Sequence, residues 1–299
     1  MEAEPIDGFI NLLKPPGVSS SGAVTLVKRT LGKKAGHAGT LDPEAAGVLP
    51  VMVGKASRLF DVLVDKEKEY LVEIAFGLST DTQDAQGKIT ARAPSIPSLS
   101  ALRAVIPRFV GAIAQVPPAY SAIKIQGQPA YALSRKGKET ERAARNVRID
   151  SIEIVEQMSI DSMLMRVRCG KGVYMRSLCF DLGETLQCPA HMRFLLRTRS
   201  GFFTIDQSNT LEEFQKHAAS LLIPIDAPIT HLPTARVSSA CVQQIRSGGA
   251  MTSFEFIDEQ AYQGGITRVY CGDSFAGLAR WKDDALRFQA MLMEDTTNA

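Results

Sequence analysis

The chain of 299 residues has few of the features that mark secreted, membrane or metal-binding proteins. Its five cysteines form no C-x-x-C pair and no metal-like cluster, which predicts reduced, mostly buried thiols. No apolar run is long enough to span a membrane, and the first residues do not follow the pattern of a signal peptide. We therefore expect a cytoplasmic protein that holds no metal.

The sequence also lacks a complete phosphate-binding loop. Gly54-Lys55 suggests such a loop, but the first glycine of the motif would fall on Leu49 and its hydroxyl-bearing residue on Ala56. No other nucleotide fingerprint, internal repeat or low-complexity tract is present. The sequence thus gives no reason to expect a bound nucleotide cofactor.

Charge is nearly balanced, with a net charge of +2, so the total does not indicate a nucleic-acid partner. The distribution is uneven, because lysine and arginine outnumber acids seven to two in residues 124–148 and again in residues 166–199. Residues 255–299 are acidic instead. The two basic segments would attract a phosphate backbone, although arginines scattered over solvated faces explain the same counts.

What is present centres on residues 36–43, Gly-His-Ala-Gly-Thr-Leu-Asp-Pro, in which Asp42 is the single carboxylate. Pro43 restricts Asp42 to an extended or turn conformation, which suits a nucleophile or a general base. The same residues also make a good helix opening, with Asp42 as the N-cap, Pro43 at the first position and Glu44 in the first turn. The residues alone favour the helix opening.

Residues 36–43 resemble the signature of the TruB family of tRNA pseudouridine synthases, in which the aspartate is catalytic. Other segments between residues 8 and 204 resemble further motifs of this family in the same order. They are Lys14-Pro15-Pro16-Gly17, Thr80-Asp81-Thr82-Gln83-Asp84, Gln115-Val116-Pro117-Pro118-Ala119-Tyr120-Ser121-Ala122-Ile123-Lys124, Gly172-Val173-Tyr174-Met175-Arg176 and Ala190-His191-Met192-Arg193-Phe194-Leu195-Leu196-Arg197-Thr198. The chain departs from the family pattern at Ala38, where threonine is common, and at Leu196, where arginine is usual.

The resemblance implies three catalytic residues. Asp42 would form or stabilise the sugar–base intermediate, and Arg176 would pair with it. Tyr70 would stack on the target base and serve in proton transfer. Without the resemblance, Tyr70 is an ordinary half-buried strand aromatic and Arg176 is a solvated helix arginine. Spacing along a helix would also place Arg176 roughly opposite Tyr174.

The resemblance also implies three residues that bind the substrate. Tyr174 and Leu195 would wall the uracil pocket, and His37 would contact the RNA loop opened by base flipping. A turn histidine bonded to nearby backbone is the structural alternative for His37. If the arginine usual at Leu196 contacts RNA in relatives, either that contact is missing here or Arg193 or Arg197 replaces it.

The implied fold class is α+β, with the pseudouridine synthase catalytic fold in residues 1–232. This fold is a mixed, largely antiparallel sheet flanked by helices. Residues 233–299 would form a small β-rich PUA-like module, since strand patterns occur around Ile266–Tyr270, Ser274–Trp281 and Leu286–Met293.

The implied reaction converts uridine to pseudouridine at position 55 in the T-loop of tRNA, after the base has been extruded from its stack. No atom is gained or lost, so no cofactor is expected. We expect tRNA, through its T-arm, as the partner, with no membrane and no obligate protein partner. Two alternatives remain: a non-catalytic RNA-binding or tRNA-folding protein, and a guide-RNA-dependent pseudouridine synthase.

Overall fold

The computed structural model describes residues 7–64, 66–121, 124–125, 128–129, 142–247, 250–251, 255–256, 265–283 and 285–293. The strands are β1 Gly8–Lys14, β2 Ala35–His37, β3 Ala46–Val53, β4 Lys68–Phe76, β5 Leu78–Thr80, β6 Ile89–Arg92, β7 Gly111–Gln115, β8 Lys124–Ile125, β9 Gln128–Pro129, β10 Arg145–Ser159, β11 Ser162–Cys169, β12 Ala190–Ser200, β13 Phe203–Thr204, β14 Thr234–Val237, β15 Glu255–Phe256, β16 Ile266–Cys271, β17 Ser274–Lys282 and β18 Ala285–Met291. The α-helices are α1 Ser20–Leu31, α2 Phe60–Val64, α3 Leu99–Val105, α4 Met175–Thr185, α5 Leu211–His217 and α6 Val242–Arg246. A helix predicted through Tyr131 and Arg135 lies outside the described residues.

Within the described part of the chain, nine strands form one large sheet in the order β1-β3-β12-β4-β11-β10-β7, with β2 added to β3 and β13 to β12. Only β12 and β3 run parallel among these pairs. Strand β4 alternates buried and half-buried residues from Lys68 onward, as expected for a strand with one face in the core. The predicted α+β class with a mixed, largely antiparallel sheet is confirmed.

Helices cover this sheet and close its core. The Ser19 side chain caps α1 by accepting a hydrogen bond from the Gly22 N–H, and Gly32 ends the helix with a φ of 63°. Leu178 and Leu182 of α4 are fully buried among the apolar side chains of β4, β11 and β12. None of the helices in the described ranges combines the length and hydropathy needed to cross a membrane.

The C-terminal residues form a second sheet, in the order β15-β14-β16-β17-β18. The three strands predicted from the sequence correspond to β16, β17 and β18, and the β-rich nature of this module is confirmed. Leu278 and Leu292 share an apolar cluster with Phe9 and Leu59 of the first part of the chain. Packing therefore joins the two sheets, and a boundary at residue 232 stays a prediction.

Two local predictions are wrong. The polar residues after Phe76 predict a loop, but the structure has a short strand there, β5, which pairs with β6. The pattern of Leu211–Leu222 predicts one helix, but α5 ends at His217. The segment from Pro224 to Pro233, predicted as a linker, contains a 3-10 turn in which Pro228 and Ile229 are buried. Buried apolar side chains fix this segment against the core.

The cysteine prediction is confirmed for the four cysteines whose side chains are described. Cys169, Cys179, Cys188 and Cys271 are buried and form no disulfide. Burial raises the pKa of Cys169 to about 12, so this thiol is neutral at physiological pH.

Candidate active site

Asp42 lies in a turn, and the predicted helix opening is wrong. Its carbonyl accepts a hydrogen bond from the Ala45 N–H at 3.1 Å, and strand β3 begins at the next residue. Pairing of β3 with β1 on one side and β12 on the other overrides the local helix signal. Gly47 permits this approach, because a Cβ there would lie 2.2 Å from the Arg197 carbonyl oxygen.

A two-point ion pair joins Asp42 to Arg176. Nε of Arg176 lies 2.8 Å from Oδ2 of Asp42, and Nη2 donates to Oδ1 at 3.0 Å. The arginine side chain is only 4% exposed, whereas that of Asp42 is 34% exposed. Arg176 is therefore not a solvated helix arginine: it fixes both carboxylate oxygens from the buried side and leaves the open side to a substrate.

Arg176 also ties two other segments to the Asp42 loop. It donates to the carbonyls of Thr82 at 3.3 Å and Tyr120 at 3.0 Å. Oδ2 of Asp84 lies 3.9 Å from its Nη1, so a second carboxylate shares the guanidinium. The sequence alone did not predict this role for Asp84, although Asp84 ends one of the motifs that resemble the family.

Tyr174 is half-buried near the same carboxylate. It precedes the first residue of α4 with an extended backbone, so helical spacing does not separate it from Arg176 as the sequence suggested. Gln115, which sequence reasoning missed, donates to the Tyr174 carbonyl and accepts from its N–H. Burial raises the pKa of the Tyr174 phenol, Arg176 opposes that rise, and the negative charge of Asp42 adds to it.

Tyr70 and Arg197 lie directly opposite each other on β4 and β12, so their side chains share one face of the sheet. Tyr70 is buried, and burial raises the pKa of its phenol. Leu195 lies two residues from Arg197 on this face, is buried, and pairs with Val72. The structure thus places Tyr70 and Leu195 on the same side of the central strands.

Arg197 anchors the loop before Asp42. Arg197 is 1% exposed, and its guanidinium donates to the carbonyls of Val48 at 2.8 Å, Gly39 at 3.0 Å and Thr40 at 3.4 Å. It is therefore committed to backbone groups and does not substitute at the RNA for the arginine that is usual at Leu196. Sequence reasoning missed this role, since only the pairing of β12 with β3 brings the residues together.

Two further side chains, those of Lys14 and Ser20, bind the backbone next to Asp42. Lys14 Nζ donates to the carbonyls of Pro15, Val18 and Pro43 at 2.8, 2.6 and 2.9 Å. Burial lowers its pKa to about 8, against the opposing effect of nearby carboxylates. Ser20 Oγ bonds both the N–H and the carbonyl of Leu41. These contacts tie Lys14 and Ser20 to the backbone on both sides of Asp42.

His37 lies in strand β2, opposite Val51, so it is not a turn histidine. Its ring is half-buried, and Nδ1 has no hydrogen-bond partner among the described residues. Burial lowers the pKa of His37, and the positive charge of Arg197 lowers it further. A neutral imidazole at this position suits contact with a nucleobase better than contact with a phosphate.

Acidic side chains from β4, from β10 and from the turn between β10 and β11 neutralise much of the basic segment 166–199. The pairs are Arg166–Glu153, Arg168–Glu69 and Arg193–Asp161, with N···O distances of 3.3, 2.8 and 2.8 Å. Arg176 and Arg197 of this segment are buried. The segment is therefore not one open phosphate-binding surface, and Arg193 is already held by Asp161.

Comparisons with known proteins identify the family of the chain. A model for the N-terminal domain of TruB family pseudouridylate synthases matches residues 28–175, and a model for the tRNA pseudouridylate synthase B C-terminal domain matches residues 176–228. A tRNA pseudouridine synthase B of Azoarcus sp. (strain BH72) is 38% identical over 296 residues, which cover 97% of this chain and 96% of the relative. The chain belongs to the TruB family.

Other TruB relatives are similarly close. The tRNA pseudouridine synthase B of Alkaliphilus oremlandii (strain OhILAs) is 42% identical over 256 residues, covering 85% of each chain. Among solved structures, a chain of a Cbf5-Nop10-Gar1 complex aligns with a TM-score of 0.71 and 26% identity, covering 96% of this chain and 84% of that one. A chain of an archaeal box H/ACA sRNP Nop10-Cbf5 complex aligns with a TM-score of 0.69 and 25% identity.

Proposed function

We propose that this chain isomerises uridine to pseudouridine in tRNA, with the T-loop uridine at position 55 as its target. The observation that carries the proposal is the ion pair between buried Arg176 and partly exposed Asp42. Both residues occupy positions that resemble the TruB motifs, and the relatives with similar sequences are named tRNA pseudouridine synthase B. Action on tRNA would place the protein in the cytoplasm.

The reaction needs an oriented carboxylate and an extruded base. The N1–C1′ bond breaks, the uracil turns, and C5 bonds to C1′. C5 loses its proton and N1 gains one, so atoms balance without a co-reactant. The exposed side of the Asp42 carboxylate would face the nucleoside. Asp42 would act by attack at C1′, by addition to the uracil ring or by assisting elimination. Arg176 fixes its orientation, which avoids the loss of rate that misplacement causes.

The neighbouring side chains supply a partly apolar pocket. Tyr70 would stack on the flipped uracil, and its raised pKa keeps the phenol neutral and able to relay a proton. Tyr174 and Leu195 would form walls of the pocket. His37 would contact the RNA loop that the extruded base leaves behind. These roles rest on the motif positions and, for Tyr70 and Tyr174, on the nearby charge of Asp42, which adds to the effect of burial in raising the pKa of both phenols.

The C-terminal module would contribute to RNA binding. We propose a catalytic domain in residues 1–232 and a small PUA-like module in residues 233–299, and the end of the second family match at residue 228 supports this division. A protein that only bound RNA would not require a buried arginine, Arg176, to orient the partly exposed carboxylate of Asp42, so we do not favour that alternative.

The test uses an unmodified tRNA transcript and the variant Asp42→Asn. We expect wild type to form pseudouridine at the T-loop uridine, mapped by a pseudouridine-specific chemical adduct, and Asp42→Asn to bind the transcript without forming product. Asp206→Asn is the matched control, because Asp206 is an exposed aspartate outside the site. A fully active Asp42→Asn protein would refute the proposed mechanism.

A further inference from the structure

A cavity of about 340 Å³ lies beside the Asp42 loop and involves none of the six side chains assigned above. Ala38, between His37 and Gly39, forms part of its wall, and Leu63 and Phe203 add apolar surface. Ligand pockets in proteins typically span about 300–1,000 Å³ and combine apolar walls with a few polar groups. The volume is therefore suited to a single nucleotide and not to a longer segment.

Cationic groups gather at the rim of this cavity. Nζ of Lys66 lies 2.9 Å from Nε2 of His231, and Arg199 lines the same opening. Because the Lys66 ammonium can only donate a hydrogen bond, Nε2 of His231 accepts it, and the imidazole is neutral. Burial lowers the pKa of His231, and the charge of Lys66 lowers it further. Glu67 also lines the rim, so the formal charge of the four groups is +1, which still favours an anion.

An exposed aromatic ring lies at the same rim. Phe202 is 43% exposed and meets buried Phe203 edge-on, with ring centroids 5.4 Å apart. Gly201 fixes this turn, because its N–H donates to the Glu67 carbonyl at 2.8 Å and its φ is 58°. A large aromatic beside cationic side chains is how proteins commonly bind unpaired nucleotides, with the base stacked and the phosphate paired.

We infer that this cavity binds one nucleotide of the RNA other than the target uridine, with its phosphate at Lys66, Arg199 and His231 and its base against Phe202. The inference rests on the proposed function, because it takes RNA bound at Asp42 as its starting point. Ala38, which lines the cavity, adjoins His37 in the chain. A free mononucleotide has the same chemistry, and the experiment separates the two sources.

The first arm compares Phe202→Ala with Phe194→Ala, a control on strand β12 whose ring is 39% exposed. We measure the Kd of a full-length tRNA transcript by filter binding and the rate of pseudouridine formation at saturating enzyme. We expect Phe202→Ala to raise the Kd by about five- to a hundredfold, because stacking is removed, with a smaller loss of rate at saturation. Phe202→Tyr should restore binding, and Phe194→Ala should match wild type.

The second arm tests the phosphate contact. Lys66→Gln should lower the slope of log Kd against log salt by about 0.7–0.9, the value for removal of one phosphate contact. Lys216→Gln, on the exposed side of α5, carries the same charge change and should leave the slope unaltered.

The outcomes separate this inference from the proposed function. Wild type that makes no pseudouridine refutes the function. An active wild type with equal Kd values for Phe202→Ala and Phe194→Ala, or with unchanged salt slopes for both lysine variants, overturns the cavity assignment alone. The third arm uses adenosine monophosphate. If it binds wild type but not Phe202→Ala, and if saturating amounts of it leave the affinity for tRNA unchanged, the occupant is a free nucleotide and the inference fails.

Discussion

Replacing Arg197 with lysine tests whether this buried guanidinium organises the active-site loop. The side chain donates to three carbonyls, those of Gly39, Thr40 and Val48. A lysine keeps the charge but has its donors at one point, so it cannot reach all three carbonyls. Each charge-assisted hydrogen bond contributes about 1.5–3 kcal/mol. Losing one or two of them, with partial relaxation of the surrounding structure, should lower the free energy of unfolding by about 2–4 kcal/mol.

The same substitution should slow the reaction. Gly39 and Thr40 precede Asp42 by three and two residues, so a loosened loop shifts the carboxylate relative to the base. A displacement of about 1 Å commonly reduces a rate by about a hundredfold. At about 25 °C the variant should remain mostly folded. Its rate should therefore fall by more than its folded fraction does.

Urea unfolding and single-turnover pseudouridine formation are the assays for this prediction. Arg166→Lys is the matched control, because Arg166 is 40% exposed and makes a surface ion pair that contributes little. If Arg197→Lys changed the unfolding free energy by less than about 1 kcal/mol and kept the wild-type rate, the proposed anchoring role would be wrong.

Two further predictions concern Lys14 and Arg176. The pKa of Lys14 is lowered to about 8 in the folded protein, so the unfolded chain binds more protons between pH 8 and its ordinary pKa near 10.5. The free energy of unfolding of wild type should therefore rise across this pH window relative to that of Lys14→Met. If urea unfolding gave the same pH dependence for the two proteins, the effect of burial on Lys14 would be disproved. Arg176→Lys keeps the charge but loses the two-point contact with Asp42, so we expect about a hundredfold slower single turnover with tRNA Kd within about twofold. A rate within about threefold of wild type would show that the orientation of Asp42 does not depend on the guanidinium.

Local sequence features predicted the elements that local interactions determine. Ser19, ahead of apolar residues at helical spacing, predicts the start of α1, and alternation in residues 66–76 predicts β4. Both succeed because capping and strand alternation depend on neighbours in the chain. The helix opening at Asp42 failed because β3 pairs on both of its sides immediately after the turn. Tertiary strand pairing therefore outweighed a valid local signal.

The candidate site could be predicted only in part, and by resemblance. Motif positions identified Asp42 and Arg176 as a pair, and the structure places them in contact. No local pattern distinguishes buried Arg197 from exposed Arg199, since the parallel pairing of β12 with β3 decides which one meets the loop. Likewise, the acids that neutralise residues 166–199 lie outside that segment, in β4, in β10 and in the turn between β10 and β11, so counting charges within the segment overestimated the basic surface.

The most direct measurement follows the hydrogen on C5 of the target uridine. Rejoining the base through C5 releases that hydrogen to water, so a tRNA transcript tritiated at C5 of its uridines reports the reaction itself. We expect release of one equivalent of tritium per transcript with wild type, none with Asp42→Asn, and none when uridine 55 is replaced by cytidine. Wild-type protein that binds the transcript and releases no tritium would contradict the proposed function.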